Sequence, residues 1–472
     1  MAVTSLDARR MADDPAGYFH GVGYEAQHVP LEDVSALQLS GLQQRFADLR
    51  NRLPVLQTMA DEQRIDEINR LDDVVPLLFP HTIYKSYPTS LLDNDRYDRL
   101  TKWLGRLTTC DLSMADVSRC DGIDSWLDAL ERDTQVRVLH SSGTTGTMTF
   151  LPRAHAEYET FFRTQRMNVS EFIDPQNKKD HTDEHFDVVW GTYSRGRSGQ
   201  IATVDFFRDQ LAGSADRFHP LIRGRMSADV MYLAARLKAA SARGEMASLK
   251  ISPRLLERRA EIEETRRASK LAWSEMFDGV IGKLAGKKVF IMIQMVAMHE
   301  MAEEGLKRNL RHIFDPGSVV HTGGGTKGVK LPCDWEDGVR EFVGTPRIGF
   351  SYGMTEINMA AYVCEHGRHH IPPWVVTFLL NPDTGLPLPR VGVQRGRAAF
   401  FDLIPQTYWG GFITGDEVTV HWDPCECGRT TVHLDRDVQR FSEKRGGDDK
   451  ITCAAAEDAH QAALDLLQRQ SS

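Results

Sequence analysis

The stretch that decides the reading of this chain is Val136 to Arg153, V-R-V-L-H-S-S-G-T-T-G-T-M-T-F-L-P-R. An apolar, β-branched run enters a turn made almost wholly of Ser, Thr and Gly, after which apolar and helix-compatible residues resume. Gly143 and Gly146 admit positive φ and close backbone approach, so successive N–H groups can converge on an anion. Ser141, Ser142, Thr144 and Thr145 add hydroxyl donors or a metal-facing oxygen. This composition suits a loop that grips phosphate, although a Ser/Gly turn by itself is more often only a turn. It is not the Walker loop, because no Lys follows Gly146 and the G-x-x-x-x-G-K-[ST] spacing is absent.

Two later segments raise the phosphate reading. Ser351-Tyr352-Gly353-Met354-Thr355-Glu356 closes an apolar run, and Thr414-Gly415-Asp416 follows another. In this order the three segments resemble the phosphate loop, the Y-G-x-T-E motif and the T-G-D motif of the adenylate-forming superfamily, which includes acyl-CoA and aryl-CoA synthetases, peptide-synthetase adenylation domains and luciferases. The resemblance implies an α/β fold: a large core with mixed sheets flanked by helices, a β-rich accessory portion, and a small C-terminal domain on a hinge. It implies that Ser141, Ser142, Gly143, Thr144, Thr145 and Gly146 hold the β and γ phosphates of ATP. Thr355 would contact the α-phosphate and Glu356 would hold Mg²⁺. Tyr352 would stack near adenine, with Ser351, Gly353 and Met354 beside it, and Gly323 and Gly324 would flank the base. Asp416 would accept hydrogen bonds from both ribose hydroxyls. The chemistry is consistent: an ionised carboxylate is acceptor-only and suits a diol, and a carboxylate beside a triphosphate needs a hard cation between them.

Within the superfamily the chain is most similar to the phenylacetate-CoA ligase branch and its acyl-protein synthetase relatives. Cys364 and His370 in C-E-H-G-R-H-H, with Cys425 and Cys427 in C-E-C-G-R, carry that narrower resemblance. It implies a closed structural Zn²⁺ site, since three thiolates and an imidazole make a tetrahedral set. His366 and His369 are rival ligands, and reduced, unliganded cysteines are the alternative.

Four regions are expected: a helical N-terminal cap over 1–130, an α/β nucleotide-binding core over 131–374, a β-rich subdomain over 375–445, and a hinge remnant with a C-terminal helix over 446–472. In the cap, Leu42, Phe46 and Leu49 fall on one helical face. Strands are expected at Phe186 to Trp190, Val289 to Met295, Ser318 to Thr322 and Arg347 to Tyr352, with a helix at Met301 to Ile313. Only 451–472 follow the hinge-like Arg445 to Lys450, so the small domain is expected to be truncated or absent. Arg436, Arg440 and Arg445 then become candidates for the nucleotide, with Arg436 taken as the contact. Where a lysine is common after the loop this chain has Thr147-Met148-Thr149, and Arg153 is a candidate substitute. Tyr193 either lines the acid pocket or covers core.

A net charge of −9 argues against nonspecific nucleic-acid binding. The longest apolar run, Val289 to Met298, is too short to span a bilayer, and seven cysteines do not read as a secreted disulfide framework. A cytoplasmic enzyme with a small-molecule acid substrate is expected, without nucleic-acid or membrane partners. The expected reaction is attack of a carboxylate, aryl or acyl, on the α-phosphorus of ATP, releasing pyrophosphate. Transfer to CoA, an amine or an acceptor or carrier protein would follow. The alternatives are a ligase activating nitrite and a degenerate nucleotide-binding partner protein without turnover.

Overall fold

Near-continuous apolar runs such as Val289-Phe290-Ile291 suit strands covered on both faces, the condition of a parallel sheet. A computed structural model of the chain, which describes residues 4–80, 82–141, 147–173, 183–244, 267, 271–324 and 329–441, contains that sheet. Its strands are β4 (Asp187–Arg195), β5 (Phe218–Arg225), β6 (Val289–Gln294), β7 (Val319–Gly323), β8 (Ile348–Tyr352) and β9 (Ala361–Tyr362), in the order β5-β4-β6-β7-β8-β9. All neighbours are parallel except β9, which runs antiparallel to β8. Helices Met295–Lys307 and Trp335–Val343 connect β6 to β7 and β7 to β8. The first begins six residues earlier than its apolar pattern suggests, directly from the end of β6.

A second sheet gathers β10 (Arg368–His370), β11 (Val375–Leu380), β12 (Val393–Asp402), β13 (Gly411–His421) and β14 (His433–Asp435) in the order β10-β14-β13-β12-β11. The runs V-V-T-F-L-L, A-A-F-F-D-L-I and E-V-T-V-H-W supply its three long strands, as expected of the β-rich portion. Two short strands, β1 (Phe79–Pro80) and β15 (Gln439–Arg440), also pair with β13. The α/β class with mixed sheets flanked by helices is therefore observed. Residues 442–472, which include Arg445, the hinge-like segment and the expected C-terminal helix, lie outside the described residues.

The N-terminal helices pack on the second sheet. Leu42, Phe46 and Leu49 of helix Leu31–Leu49 share one apolar cluster with Phe378, Phe400, Phe401 and Trp409. Arg45, 2% exposed, donates from Nε to the Leu403 carbonyl at 2.7 Å and pairs with Asp13 at 2.7 Å, which satisfies a buried cation on both sides. Helix Pro54–Gln63 stops where Arg64 takes a left-handed φ of 55° that closes it. A second cluster packs the Ser/Gly-loop strands against β4, and a third fills the opposite face of β6 and β7.

Candidate active site

The Ser/Gly segment is flanked by two paired strands. Strands β2 (Val136–His140) and β3 (Phe150–Ala154) pair antiparallel, so a strand follows the loop before helix His155–Ile173 begins. Ser142, Gly143, Thr144, Thr145 and Gly146 lie outside the described residues, but the stem is defined. Ser141 N–H donates to the Thr149 carbonyl at 3.2 Å, and Thr149 N–H donates to Ser141 Oγ at 3.1 Å. Ser141, expected as a phosphate donor, is thus bonded to Thr149 by both its backbone N–H and its hydroxyl.

Strands β6, β7 and β8 deliver Gln294, Gly323 and Ser351 to the same end of the sheet, where ligands bind in open parallel sheets. A cavity of about 260 Å³ opens there, with Gly323, Gly324, Ser351, Gly353, Met354 and Thr355 in its lining. Two of the glycines have a definite reason to be glycine: Gly324 has φ +78°, and a Cβ on Gly353 would lie 2.6 Å from the Met359 carbonyl. Gly199 follows strand β4 and belongs to none of the three motifs. A Cβ there would lie 2.2 Å from Thr355 Oγ1, so its missing side chain sets where the Thr355 hydroxyl points. No sequence signal marks that role, because the contact joins residues 156 apart.

Also in the lining are His321, Tyr362, Arg153, Tyr158, Phe161 and Gln165. His321 Nε2 lies 2.9 Å from Ser351 Oγ, and burial pushes its pKa down to about 4, so the ring is a neutral wall and hydrogen-bonding group near neutrality. Tyr193 is not in the lining. It is buried in the core cluster beneath β4, and its carbonyl accepts from Trp190 Nε1 at 2.9 Å.

The second and third motifs touch through Tyr352, whose neighbours Ser351 and Gly353 line the cavity. Tyr352 Oη donates to Asp416 Oδ2 at 2.9 Å, and Arg440 Nε lies 3.4 Å from Asp416 Oδ1 across the β13–β15 pair. Asp416 is 8% exposed, and its own N–H donates to Thr414 Oγ1. Each carboxylate oxygen therefore has a partner, with lone pairs left for further donors. Burial raises the Glu356 pKa, while Arg440 and Lys85 pull it down and Asp416 pushes it up. Glu356 makes no ion pair within 4.0 Å among the described residues, and an acceptor-only group in that state fits a hard cation. Arg436 is committed elsewhere: Nη2 donates to Glu336 at 2.6 Å, and the guanidinium sits 3.6 Å over the Phe350 ring. Arg440, not Arg436, is the arginine that the fold places beside Asp416.

The Cys364, His370, Cys425 and Cys427 ligand atoms all lie within 4.8 Å of one another. Cys364 Sγ and Cys425 Sγ are 4.0 Å apart, and Cys427 Sγ is 3.4 Å from His370 Nε2. Tetrahedral zinc with ordinary bond lengths separates two sulfurs by about 3.8 Å and a sulfur from a nitrogen by about 3.6 Å. The donor set therefore fits the metal in type and spacing. His370 Nδ1 is 3.4 Å from Thr431 Oγ1, which donates to Gln27 Oε1 at 2.5 Å, an outer shell that orients the ring. The rivals are engaged elsewhere: His369 Nδ1 meets the Ala361 carbonyl at 2.8 Å, and His366 pairs with Glu426.

C-E-H-G-R and C-E-C-G-R fold as matching turns, a likeness the sequence reading passed over. Cys364 N–H donates to Arg368 O and Gly367 N–H to Cys364 O, both at 2.9 Å. Cys425 N–H donates to Arg429 O at 3.0 Å and Gly428 N–H to Cys425 O at 2.9 Å. The glycines take φ of +72° and +88°. Burial pushes the Cys364 thiol up, and the Cys425 thiol up to about 12, so these groups are neutral until a cation favours the thiolate.

No protein-family model matches the chain, and no curated protein matches it. Among solved structures, 2-hydroxyisobutyryl-CoA ligase in the postadenylation state with R3-HIB-AMP is similar at 14% identity and TM-score 0.49, over 88% of this chain and 70% of that one. Its open conformation with 2-HIB-AMP and CoA is similar at 13% identity and TM-score 0.47, over 88% and 71%. ATP-bound MatB from Rhodopseudomonas palustris is similar at 14% identity and TM-score 0.33, over 74% and 61%. Among the described residues no helix is long and apolar enough to cross a membrane.

Proposed function

We propose that the chain is an AMP-forming ligase that joins a carboxylic acid, aryl or acyl, to ATP as an acyl-adenylate with release of pyrophosphate, and then passes the acyl group to CoA, an amine or an acceptor protein. The observation that carries this reading is the Tyr352–Asp416 hydrogen bond. It joins two motifs 64 residues apart, and Ser351 and Gly353 on either side of Tyr352 line a cavity together with Thr355, Gly323 and Gly324. Chance resemblances in sequence have no reason to meet in space.

The acid needs no general base, because a carboxylate is ionised near neutrality. Catalysis is then positioning and charge neutralisation. In this proposal the segment between Ser141 and Thr149 holds the terminal phosphates. The Thr355 hydroxyl, steered by Gly199, steadies the α-phosphate, and Gly323 and Gly324 leave room for the base. Asp416, oriented by Tyr352 and Arg440, accepts from the ribose. Glu356 would hold Mg²⁺, which supplies charge neutralisation between phosphate oxygens. The four-residue Cys/His set would hold a structural Zn²⁺ with no open position. An intracellular location accords with reduced cysteines in that role.

The test is ATP–pyrophosphate exchange across a panel of acids, with wild type compared to Glu356→Ala. Exchange that some acid supports and that Glu356→Ala loses is the expected result. No exchange with any acid, while ATP still binds, would overturn the reading in favour of nucleotide binding without turnover.

A further inference from the structure

The cavity wall contains a buried cation with no carboxylate on it. Arg153 is 2% exposed and lines the cavity, and no carboxylate lies within 4.0 Å of it among the described residues. Nη2 donates to the Thr355 carbonyl at 3.2 Å, and the Tyr408 hydroxyl is a second polar neighbour of the guanidinium. Nε is buried without a hydrogen-bond partner. The Asp402 charge acts on Arg153 without forming an ion pair, and both Asp402 and Glu157 have other partners. Asp402 accepts from the Asn358 and Ile404 N–H groups, and Glu157 accepts from the N–H groups of Ala154, Gln406 and Thr407. The guanidinium is instead flanked by rings, with Tyr158 and Phe161 centroids 5.5 and 5.2 Å away.

Tyr158 adds a second unsatisfied donor. Its hydroxyl is buried without a partner, and burial raises its pKa to about 12, so it keeps its proton. Tyr158, Phe161 and Gln165 stand three and four residues apart on helix His155–Ile173, on one face, and all three line the cavity. A buried guanidinium with its Nε unpartnered and a buried phenol without an acceptor are costly unless a ligand completes them.

We propose that Arg153 and Tyr158 form an anion receptor inside the acid cavity, so that the acid substrate is a dicarboxylate: one carboxylate reacts and the other pairs with Arg153. The role of the reacting carboxylate rests on the adenylation reading above; binding of the second does not. The guanidinium offers a planar fork that matches a carboxylate, and a low-dielectric wall strengthens the pair.

Calorimetric titration of the purified chain with succinate, glutarate and adipate, each against its monoamide, tests this without requiring turnover. At least one dicarboxylate should bind ten-fold or more tightly than its monoamide. Arg153→Gln should remove that preference, Arg153→Lys should keep part of it, and Tyr158→Phe should weaken it, each variant being checked for a native melting transition. Equal wild-type affinity for every dicarboxylate and its monoamide overturns the inference even if no variant folds. So does pyrophosphate exchange driven by monocarboxylates that carry no second charged group, with a uniform loss in Arg153→Gln, which would place Arg153 at the reacting group or at phosphate and leave adenylation standing. An Arg153-dependent preference in binding, with no exchange from any acid, supports the receptor while removing the adenylation reading.

Discussion

Replacing Gly199 by Ala isolates what the Thr355 hydroxyl does. The new Cβ would stand 2.2 Å from Thr355 Oγ1, 3.1 Å from its Cβ and 3.3 Å from its Cγ2. The first contact is intolerable, whereas the other two ask for shifts of a few tenths of an ångström. The hydroxyl must therefore rotate to another staggered position, at about 0.5–1.5 kcal/mol if that position is unfavourable. Gly199 is not in the left-handed region, so Ala adds no backbone strain, and reduced freedom of the unfolded chain offsets about 0.4–1 kcal/mol. Stability should change by about 1 kcal/mol or less. Activity should change more, because a hydrogen bond to a charged phosphate oxygen contributes about 1.5–3 kcal/mol, or roughly 10- to 150-fold in rate. The assay is pyrophosphate exchange alongside thermal denaturation, for Gly199→Ala, Thr355→Ala and the double variant. If Gly199 acts by steering Thr355, the double variant is no slower than Thr355→Ala. Unchanged exchange in Gly199→Ala, or fully additive losses, would refute the reasoning.

Cys425→Ser should lose bound zinc by metal analysis and lower the melting temperature, since it leaves three ligands and a buried, unpaired hydroxyl; a metal-free wild type with an unshifted Cys425→Ser melt would exclude a structural metal. Asp229 and Asp124 cap each other's helices, with Asp229 accepting from Ile123 N–H at 2.6 Å and Asp124 N–H at 3.1 Å. Burial first, and then the Asp124 charge, raise the Asp229 pKa to about 7. Between the ordinary aspartate value of 3.8 and about 7 the folded state keeps a proton that the unfolded chain releases. This contribution is full below 3.8 and is lost as pH rises through 7. Asp229→Asn should flatten the fall in melting temperature across that window, and an unchanged slope would count against the shared-proton arrangement. His321, neutral above about pH 4, should contribute no inflection to the exchange rate between pH 6 and 9, which a pH profile of His321→Gln against wild type checks.

The parallel strands were legible in the sequence because each is a short, doubly buried run closed by a turn signal. Val289, Phe290 and Ile291 read as strand, and Ser351 to Glu356 announced the end of another. The strand that follows the Ser/Gly segment was not legible. Phe150 to Ala154 carries no alternation, with all five residues buried and Pro152 in its middle, so local pattern favours no element. The packing of the N-terminal helices on the second sheet was equally hidden, since Arg45 and Leu403 meet across 358 residues. The Cys/His cluster was found by residue type, whereas Arg153 stood out in the sequence only as a candidate substitute for a lysine, not as a buried cation without an ion pair. Burial without an ion pair is a property of the folded chain.

The two metal turns and the T-G-D carboxylate belong to one mechanical unit. Strand β13 carries Asp416 in its middle and ends at His421, four residues before Cys425. Strand β10 ends in His370, a ligand, and pairs with β14 in the register His370 to His433. Strand β14 pairs in turn with β13 in the register His421 to His433. These short pairings involve few backbone hydrogen bonds and are weak alone. A metal holding Cys364, His370, Cys425 and Cys427 would tie the first turn, β10 and the second turn together, and so fix the end of the strand that presents Asp416. Losing the metal would free that end while leaving the parallel sheet and the acid cavity intact, because neither takes a residue from the turns. Metal removal is therefore expected to weaken ATP binding before it weakens binding of the acid.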